Sequence, residues 1–298
     1  MNKIAVFSAS LILLECLLWG IGNVIVNITL QTMPTILCLG LRSAIAAFLF
    51  LCFFRKRIKA VLKKEHILPC SLIGTVSTAS FLTAMLSLKY CEATTASFLI
   101  SLSVIFAPFF SFFILGKRID ARIVVPIVII VIGLYYLCGG NVEFKFGFGE
   151  IIGVVCSACY ALVLVLSQKH LKGIDPAVIS VFQTGVGAVS CLTLSLIFED
   201  ASAVFRLTVS NWYAVIFLGV FATFAAFLFQ NYALKNLSST FVSILFCTES
   251  VFSAIFAFLI INERLSAPEI FGSVLVLAGI VAASLTGEQK TRHNVQKT

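Results

Sequence analysis

The chain is 298 residues long, 60 % apolar and 11 % charged, with a formal net charge of +8. Soluble domains hold about 45–50 % apolar and about 25 % charged residues, so this composition excludes an ordinary soluble fold and makes lipid the solvent. In a bilayer only helices or a closed barrel satisfy every backbone group, and continuous apolar runs of about 17–22 residues, rather than alternation over about 10, select helices.

The apolar runs predict ten spans. Span one, 5–26, follows Lys3 and continues through Leu18-Trp19 with no small-residue cleavage site, so it reads as a transmembrane helix and not as a signal peptide. Glu15, Trp19 and Asn23 recur at i, i+4 and i+8 on one helix face, with Gly22 beside it permitting close approach. That face is either a cavity wall offering an acid, an aromatic platform and an amide, or a packing face whose Glu15 snorkels or pairs locally. Span two, 36–54, holds Arg42. A guanidinium inside a membrane is expected either to bind a substrate carboxylate or phosphate bidentately, or to neutralise Glu15 or Glu249. The basic residues Arg55, Lys56, Arg57, Lys59, Lys63 and Lys64 separate it from span three, 67–87. Span four, 95–115, contains Pro108 and is expected to kink near its middle. Span five covers 122–138.

The second five spans fall at 149–167, 177–198, 211–230, 239–260 and 267–285, and they repeat the first five. Residues 86–119 lie over 232–265 at a constant offset of 146, with Leu88, Lys89, Thr94, Ser97, Leu99, Phe106, Phe110, Phe112, Ile114 and Arg118 on identical residues. Small-residue stripes on spans four and nine match: Ser97, Ser101, Val104, Pro108 and Ser111 stand against Ser243, Cys247, Ser250, Ala254 and Ala257. They predict a close-packed helix interface. At an offset of 141, Tyr160 stands where the first half has Trp19, and Gln183 where it has Arg42. Both are candidates for the second half's wall. Gln230-Asn231 either lines that wall or ends span eight at the inner interface. Span nine brings Glu249, the third ionisable residue near mid-span. Were Glu15 to pair with Arg42, Glu249 would stay unpaired and be the stronger candidate for proton or cation coupling, with Glu15 the other.

Basic residues set the orientation. With the N-terminus inside, the inner loops and tails hold sixteen Lys and Arg and the outer loops four, namely Lys89, Lys145, Arg206 and Arg264. Both termini are then cytoplasmic. Five spans per half is an odd number, so the second half enters the membrane inverted. The basic loop 117–122 faces in, while its equivalent 263–268 carries Glu263 and Glu269 and faces out. Inverted repeats of this kind permit alternating access.

Most of the ten cysteines lie inside apolar spans, and the Cys156-x-x-Cys159 pair is mid-helix with no second pair, so they read as small lipid-tolerant side chains. No metal and no cofactor is expected. The basic residues occupy short loops on alternate sides, which argues against nucleic acid. A membrane enzyme needs a nucleophile, metal or acid–base set at one interface. The chain has no His-based metal spacing, no intramembrane Asp pair, no G-x-S-x-G and no Walker-A motif. A non-transporting receptor or assembly subunit is the other class that a polytopic bundle admits.

Leu17-Leu18-Trp19-Gly20, Leu41-Arg42-Ser43-Ala44, Tyr232-Ala233-Leu234-Lys235, Glu249-Ser250 and Asn262-Glu263-Arg264-Leu265 together resemble the EamA-type ten-helix permeases of the drug/metabolite transporter superfamily. The resemblance covers nearly all of 5–285. Ser250 stands where the family has a proline, Ser103-Val104 replaces its first Glu-Pro pair, Lys117 stands where the first half often has Glu, and Asn262 replaces its Gly. The resemblance implies an all-α integral membrane protein of two inverted five-helix repeats, 1–140 and 149–285, with a cytoplasmic tail at 286–298. It implies a secondary transporter of amino-acid-like, nucleotide-like or drug-like solutes in the cytoplasmic membrane, acting as monomer or homodimer, by proton coupling or exchange. Its substrate-binding residues are expected among Glu15, Trp19, Asn23, Arg42, Tyr160, Gln183 and Glu249.

Overall fold

A computed structural model describes residues 3–90, 93–140, 147–262 and 264–295. Lys145 and Glu263 lie outside the described residues, as does Lys297, one of the sixteen cations assigned to the inner side. Among the described residues every regular element is helical. In chain order they are α1 (Lys3–Thr29), α2 (Thr35–Val61), α3 (Lys64–Tyr90), α4 (Ala93–Ser101), α5 (Ser103–Leu115), α6 (Val124–Leu137), α7 (Phe148–His170), α8 (Pro176–Phe198), α9 (Val209–Gly219), α10 (Ala226–Leu234), α11 (Ser239–Phe246), α12 (Thr248–Ile261) and α13 (Ala267–Val295). Several are pieces of one span. Joined, they make nine apolar stretches long enough to cross a bilayer, and Ala121–Leu137 is a shorter tenth. These ten stretches coincide with the ten predicted spans. The protein is a multi-pass membrane protein.

The ends depart from expectation for physical reasons. α2 continues seven residues past 54, through Arg55-Lys56-Arg57 and Lys59. Arg and Lys are good helix formers, and cations near a helix C-terminus are favoured by its dipole. α8 starts at Pro176, whose missing N–H costs nothing in the first turn, and Asp175 caps it by accepting from Ala177 N. α10 runs to Leu234, so Gln230 and Asn231 sit a turn inside the helix end and are fully buried rather than at an interface.

Span four breaks at Leu102 between α4 and α5, six residues before Pro108, which lies inside α5. The helix is unbroken at Pro108 itself, where the kink is expected, and is interrupted instead at Leu102. Span nine breaks at Cys247 between α11 and α12 and contains no proline. The two breaks lie 145 positions apart, within one residue of the repeat offset, so proline is not their common cause. What they share is side-chain hydroxyls turned back on the ladder. Ser101 Oγ bonds Ser97 O at 2.9 Å and Thr248 Oγ1 bonds Leu245 O at 2.7 Å. Such back-bonding bends helices. Ser101 and Ser250 hydroxyls also meet at 3.3 Å, which joins the two predicted stripes at one point.

Both broken spans stop in the same way. α5 ends on Gly116 at φ 64° and α12 on Asn262 at φ 54°, with their N–H groups bonded back to Ser111 O and Ala257 O. The left-handed cap favours glycine and tolerates asparagine. This accounts for the Asn that replaces the family's Gly.

Packing joins the two halves element by element. α2 packs on α8, α3 on α7 and α8, α1 on α12, and α6 on α13. The α6–α13 contact is backbone-close: a Cβ on Gly272 would lie 2.2 Å from Leu137 N, and one on Gly133 would lie 2.7 Å from Val276 N. Small residues let membrane helices approach this closely, and dispersion then holds them. α2 and α8 run antiparallel and are tied at both ends. Glu199, at the C-terminus of α8, accepts from Ile36 N and Leu37 N at 2.8 Å each, capping α2. Arg57, near the other end of α2, donates to Asp175 Oδ2 through Nη2 at 2.7 Å and through Nε at 3.0 Å.

Candidate functional site

The stretch 220–225 between α9 and α10 is π-helical. Its consequence is local and chemical. Ala226 N–H, the usual i+4 donor to Ala222 O, bonds to Phe221 O and Thr223 O instead. Ala222 O is turned to other donors: Trp19 Nε1 at 2.8 Å and Arg42 Nη2 at 3.3 Å. Thr223 Oγ1 donates to Leu218 O at 2.8 Å and accepts from Arg42 Nε at 2.9 Å. A π-bulge commonly re-aims backbone at functional positions, and here it joins α1 to α2. Close approach is built in: a Cβ on Gly219 would lie 2.8 Å from the Ile45 side chain, and one on Gly22 would lie 3.2 Å from Ala222 Cβ.

Arg42 is buried, with Cζ 5.6 Å above the Phe81 ring. It forms no direct ion pair with Glu15 or Glu249, although Glu249 lies near enough to act on its charge. It faces a narrow crevice between α2, α3, α8, the π segment and α10, with room for about one water molecule in this conformation. Ser43, Ser77, Thr78, Gln183 and Cys191 share the lining, and no carboxylate does. Gln183 Oε1 accepts from Asn231 Nδ2 at 2.7 Å, whose other bond is to Ser180 Oγ at 2.9 Å. Gln183 Nε2 has no partner, nor has Asn231 Oδ1. The repeat positions of Arg42 and Gln183 are thus two walls of one cavity.

Trp19 and Tyr160 also meet, with ring centroids 6.0 Å apart. Trp19 stacks on Phe246 at 5.5 Å and 17°, and presents an edge to Phe81 at 6.0 Å. Tyr160 OH accepts from Gln230 Nε2 at 2.9 Å. These rings form a partition rather than an open cage, because each is filled by its neighbours.

Neither acid lines the cavity. Glu15 is fully buried and neither carboxyl oxygen has a hydrogen-bond partner. Glu249, at the start of α12, accepts from Asn23 Nδ2 at 2.8 Å, and the same amide donates to Ser253 Oγ at 3.0 Å. Asn23 is exposed. The condition under which Glu249 would be the unpaired acid is therefore reversed: Glu249 is engaged and Glu15 is not. The single face predicted for Glu15, Trp19 and Asn23 divides among three environments, since eight residues at about 100° each carry the helix about 80° past two full turns.

Sequence reasoning missed Ala222 O, Thr223, Phe81 and Phe246. Thr223 is a hydroxyl in an apolar run, which is a weak signal. A backbone carbonyl re-aimed by a register change leaves no trace in residue types. Among the described residues no group of three or more His, Cys, Asp or Glu is placed to hold a metal.

The sequence profile described as "EamA-like transporter family" matches residues 6–138 and again 147–285. An uncharacterized transporter of Archaeoglobus fulgidus is 24 % identical over 273 residues, covering 91 % of this chain and 84 % of that protein. The uncharacterized transporter YoaV of Bacillus subtilis is 24 % identical over 275 residues, covering 91 % and 94 %. A crystal structure at 18 % identity superposes with a TM-score of 0.80 over 95 % of this chain and 98 % of that one, which is a likeness of fold.

Proposed function

The chain belongs to the EamA-like transporter family, and from that premise we propose that it is a secondary transporter moving a small organic solute across the cytoplasmic membrane by alternating access. Its relatives are named transporters, and it is a membrane transporter rather than an enzyme. In this reading 1–140 and 149–285 are two five-helix repeats inserted in opposite senses, with the N-terminus and the 286–298 tail in the cytoplasm. The observation that carries the reading is the α2–α8 pair. These helices hold equivalent places in the two halves, pack antiparallel, are tied at each end by a charged side chain, and enclose a polar cavity between those ties. Antiparallel equivalents are what an inverted repeat requires, and a site held between two end closures is what alternating access requires.

The inner closure consists of Arg57 on Asp175, with the guanidinium carbon 5.8 Å from the Tyr232 ring centroid. Gln168 reinforces it, donating to Leu237 O at 2.8 Å and accepting from Ser239 N at 3.0 Å. The outer closure is Glu199 on the α2 N-terminus. Each must yield in turn. Proton coupling falls to Glu15, because both its carboxyl oxygens are buried without partners and only an opening of the bundle would expose them to water.

Flux in proteoliposomes across a solute library tests the proposal. Accumulation or exchange of a solute, saturable and absent from empty vesicles, is expected. A well-folded preparation that moves nothing in either direction would return the chain to the receptor class. With a transported solute in hand, Glu15→Gln should keep solute-for-solute exchange and lose the response to a pH gradient. A response that survives removes Glu15 from that role.

A further inference from the structure

We propose that the cavity between α2 and α8 is a binding site for the carboxylate of a monoanionic solute, held by Arg42 and Gln183. The inference rests on the transporter reading and names the class of substrate that the same site takes.

The first argument is charge. The Arg42 guanidinium stays protonated at any physiological pH. It is 7 % exposed inside a membrane span, and the acceptors it has are a hydroxyl and a carbonyl, both neutral. No carboxylate lines its cavity. Glu249 acts on Arg42 electrostatically from outside the cavity but makes no ion pair with it; a buried cation with no ion-paired partner is expensive, by several kcal/mol in typical cases, so an anion entering from the cavity side would be favoured.

The second argument is the set of unused donors. Arg42 Nη1 makes no hydrogen bond, Nη2 uses one of its two protons, and Gln183 Nε2 is a buried donor without a partner. All belong to residues on the cavity wall. Ser43 and Ser77 add hydroxyls to the same wall. An occupant must therefore accept hydrogen bonds at two oxygens or more and carry negative charge. Carboxylate is the group whose planar oxygen pair matches the planar guanidinium.

The third argument limits the charge. One cation neutralises one anion. A phosphate dianion would leave a net negative charge beside Phe81 and Phe227 with no second cation on the wall. A primary ammonium would add positive charge to Arg42. A neutral amide would leave the guanidinium uncompensated.

Four probes of similar size separate these cases on the purified full chain in detergent: propionate, propionamide, propylammonium and inorganic phosphate. The readout is ligand-dependent thermal stabilisation. Propionate should stabilise and the other three should not. Arg42→Gln should abolish the propionate shift, and Gln183→Leu, close in volume but without the donor, should weaken apparent affinity by about tenfold. If Arg42→Gln does not fold, Gln183→Leu and Ser43→Ala carry the test alone. Stabilisation by phosphate or propylammonium instead of propionate would overturn the assignment, as would propionate binding that ignores all three substitutions. The two proposals fail separately. Carboxylate binding without flux of any solute sinks transport and leaves this site. Flux of a cationic solute that Arg42→Gln does not alter sinks this site and leaves transport.

Discussion

Single residues decide the chemistry of the membrane interior. Thr223 serves Arg42 as acceptor and Leu218 O as donor, so Thr223→Val removes one partner from a buried cation. Hydrogen bonds to charged groups contribute about 1.5–3 kcal/mol. A fall in melting temperature is expected, together with weaker binding of the carboxylate probe. Trp19→Phe keeps the ring stack on Phe246 and removes one neutral hydrogen bond, to Ala222 O. Its cost should be about 1 kcal/mol, and a drop as large as that of Thr223→Val would mean the indole does more than pack. Outside the membrane, Asp200 caps the 3₁₀ turn 201–206. Its side chain accepts from Ser202 Oγ at 2.7 Å and Ser202 N at 2.8 Å and pairs with Arg206. Those bonds, the Ser202 hydroxyl first, hold its pKa below the usual aspartate value. The folded pKa is the lower one, so the contribution is complete above the unfolded value of roughly 4 and fades as pH falls through the folded value. Asp200→Asn should thus lower stability at pH 7 and cease to matter in strong acid. Residue types announced Arg42 and Glu15 as significant, because charge in a membrane is rare. They did not announce which acid would be unpaired, since that depends on Asn23 reaching Glu249 across two helices.

At the scale of elements, helix ends and close contacts explain most of the sequence detail. Asn262 occupies a left-handed cap at φ 54°. Asn262→Gly should be neutral or slightly stabilising, and Asn262→Val should cost about 1–2 kcal/mol because a β-branched side chain clashes there. Thermal melts of the two variants compare them directly. Gly272→Ala places a methyl 2.2 Å from Leu137 N, against backbone that cannot move aside as a side chain would. It should separate α6 from α13 and lower the melting temperature more than any cap variant. The ten spans were legible from hydropathy alone, since lipid admits few alternatives to an apolar helix. The breaks at Leu102 and Cys247 were not legible: Pro108 drew attention to span four, but the helix runs through it and breaks six residues earlier. The π segment was not legible, because a one-residue shift in hydrogen-bond register needs no special residue.

At the scale of the molecule, the α2–α8 ties should differ in worth. Arg57 and Asp175 side chains are 46 % and 14 % exposed, so the pair alone contributes about 0–1 kcal/mol. Asp175 also caps α8, so Asp175→Ala should cost about 1 kcal/mol more than Arg57→Ala. If the proposed topology holds, single cysteines at Lys172 and Arg206, in a chain whose own cysteines are replaced, will react with an impermeant thiol reagent from opposite faces of sealed vesicles. Labelling from one face would overturn the orientation. The sequence by itself determined the solvent, the helical class, the number of spans and the duplication. Each follows from composition and period, which any apolar segment displays before it meets a neighbour. Only the tertiary structure decided that Arg42 faces Gln183 across a cavity free of acids, that Glu249 takes Asn23, and that Glu15 has no partner. Buried polar groups choose among partners brought from distant parts of the chain, and the π segment meets Arg42 and Trp19 only once α1 and α2 are packed against it.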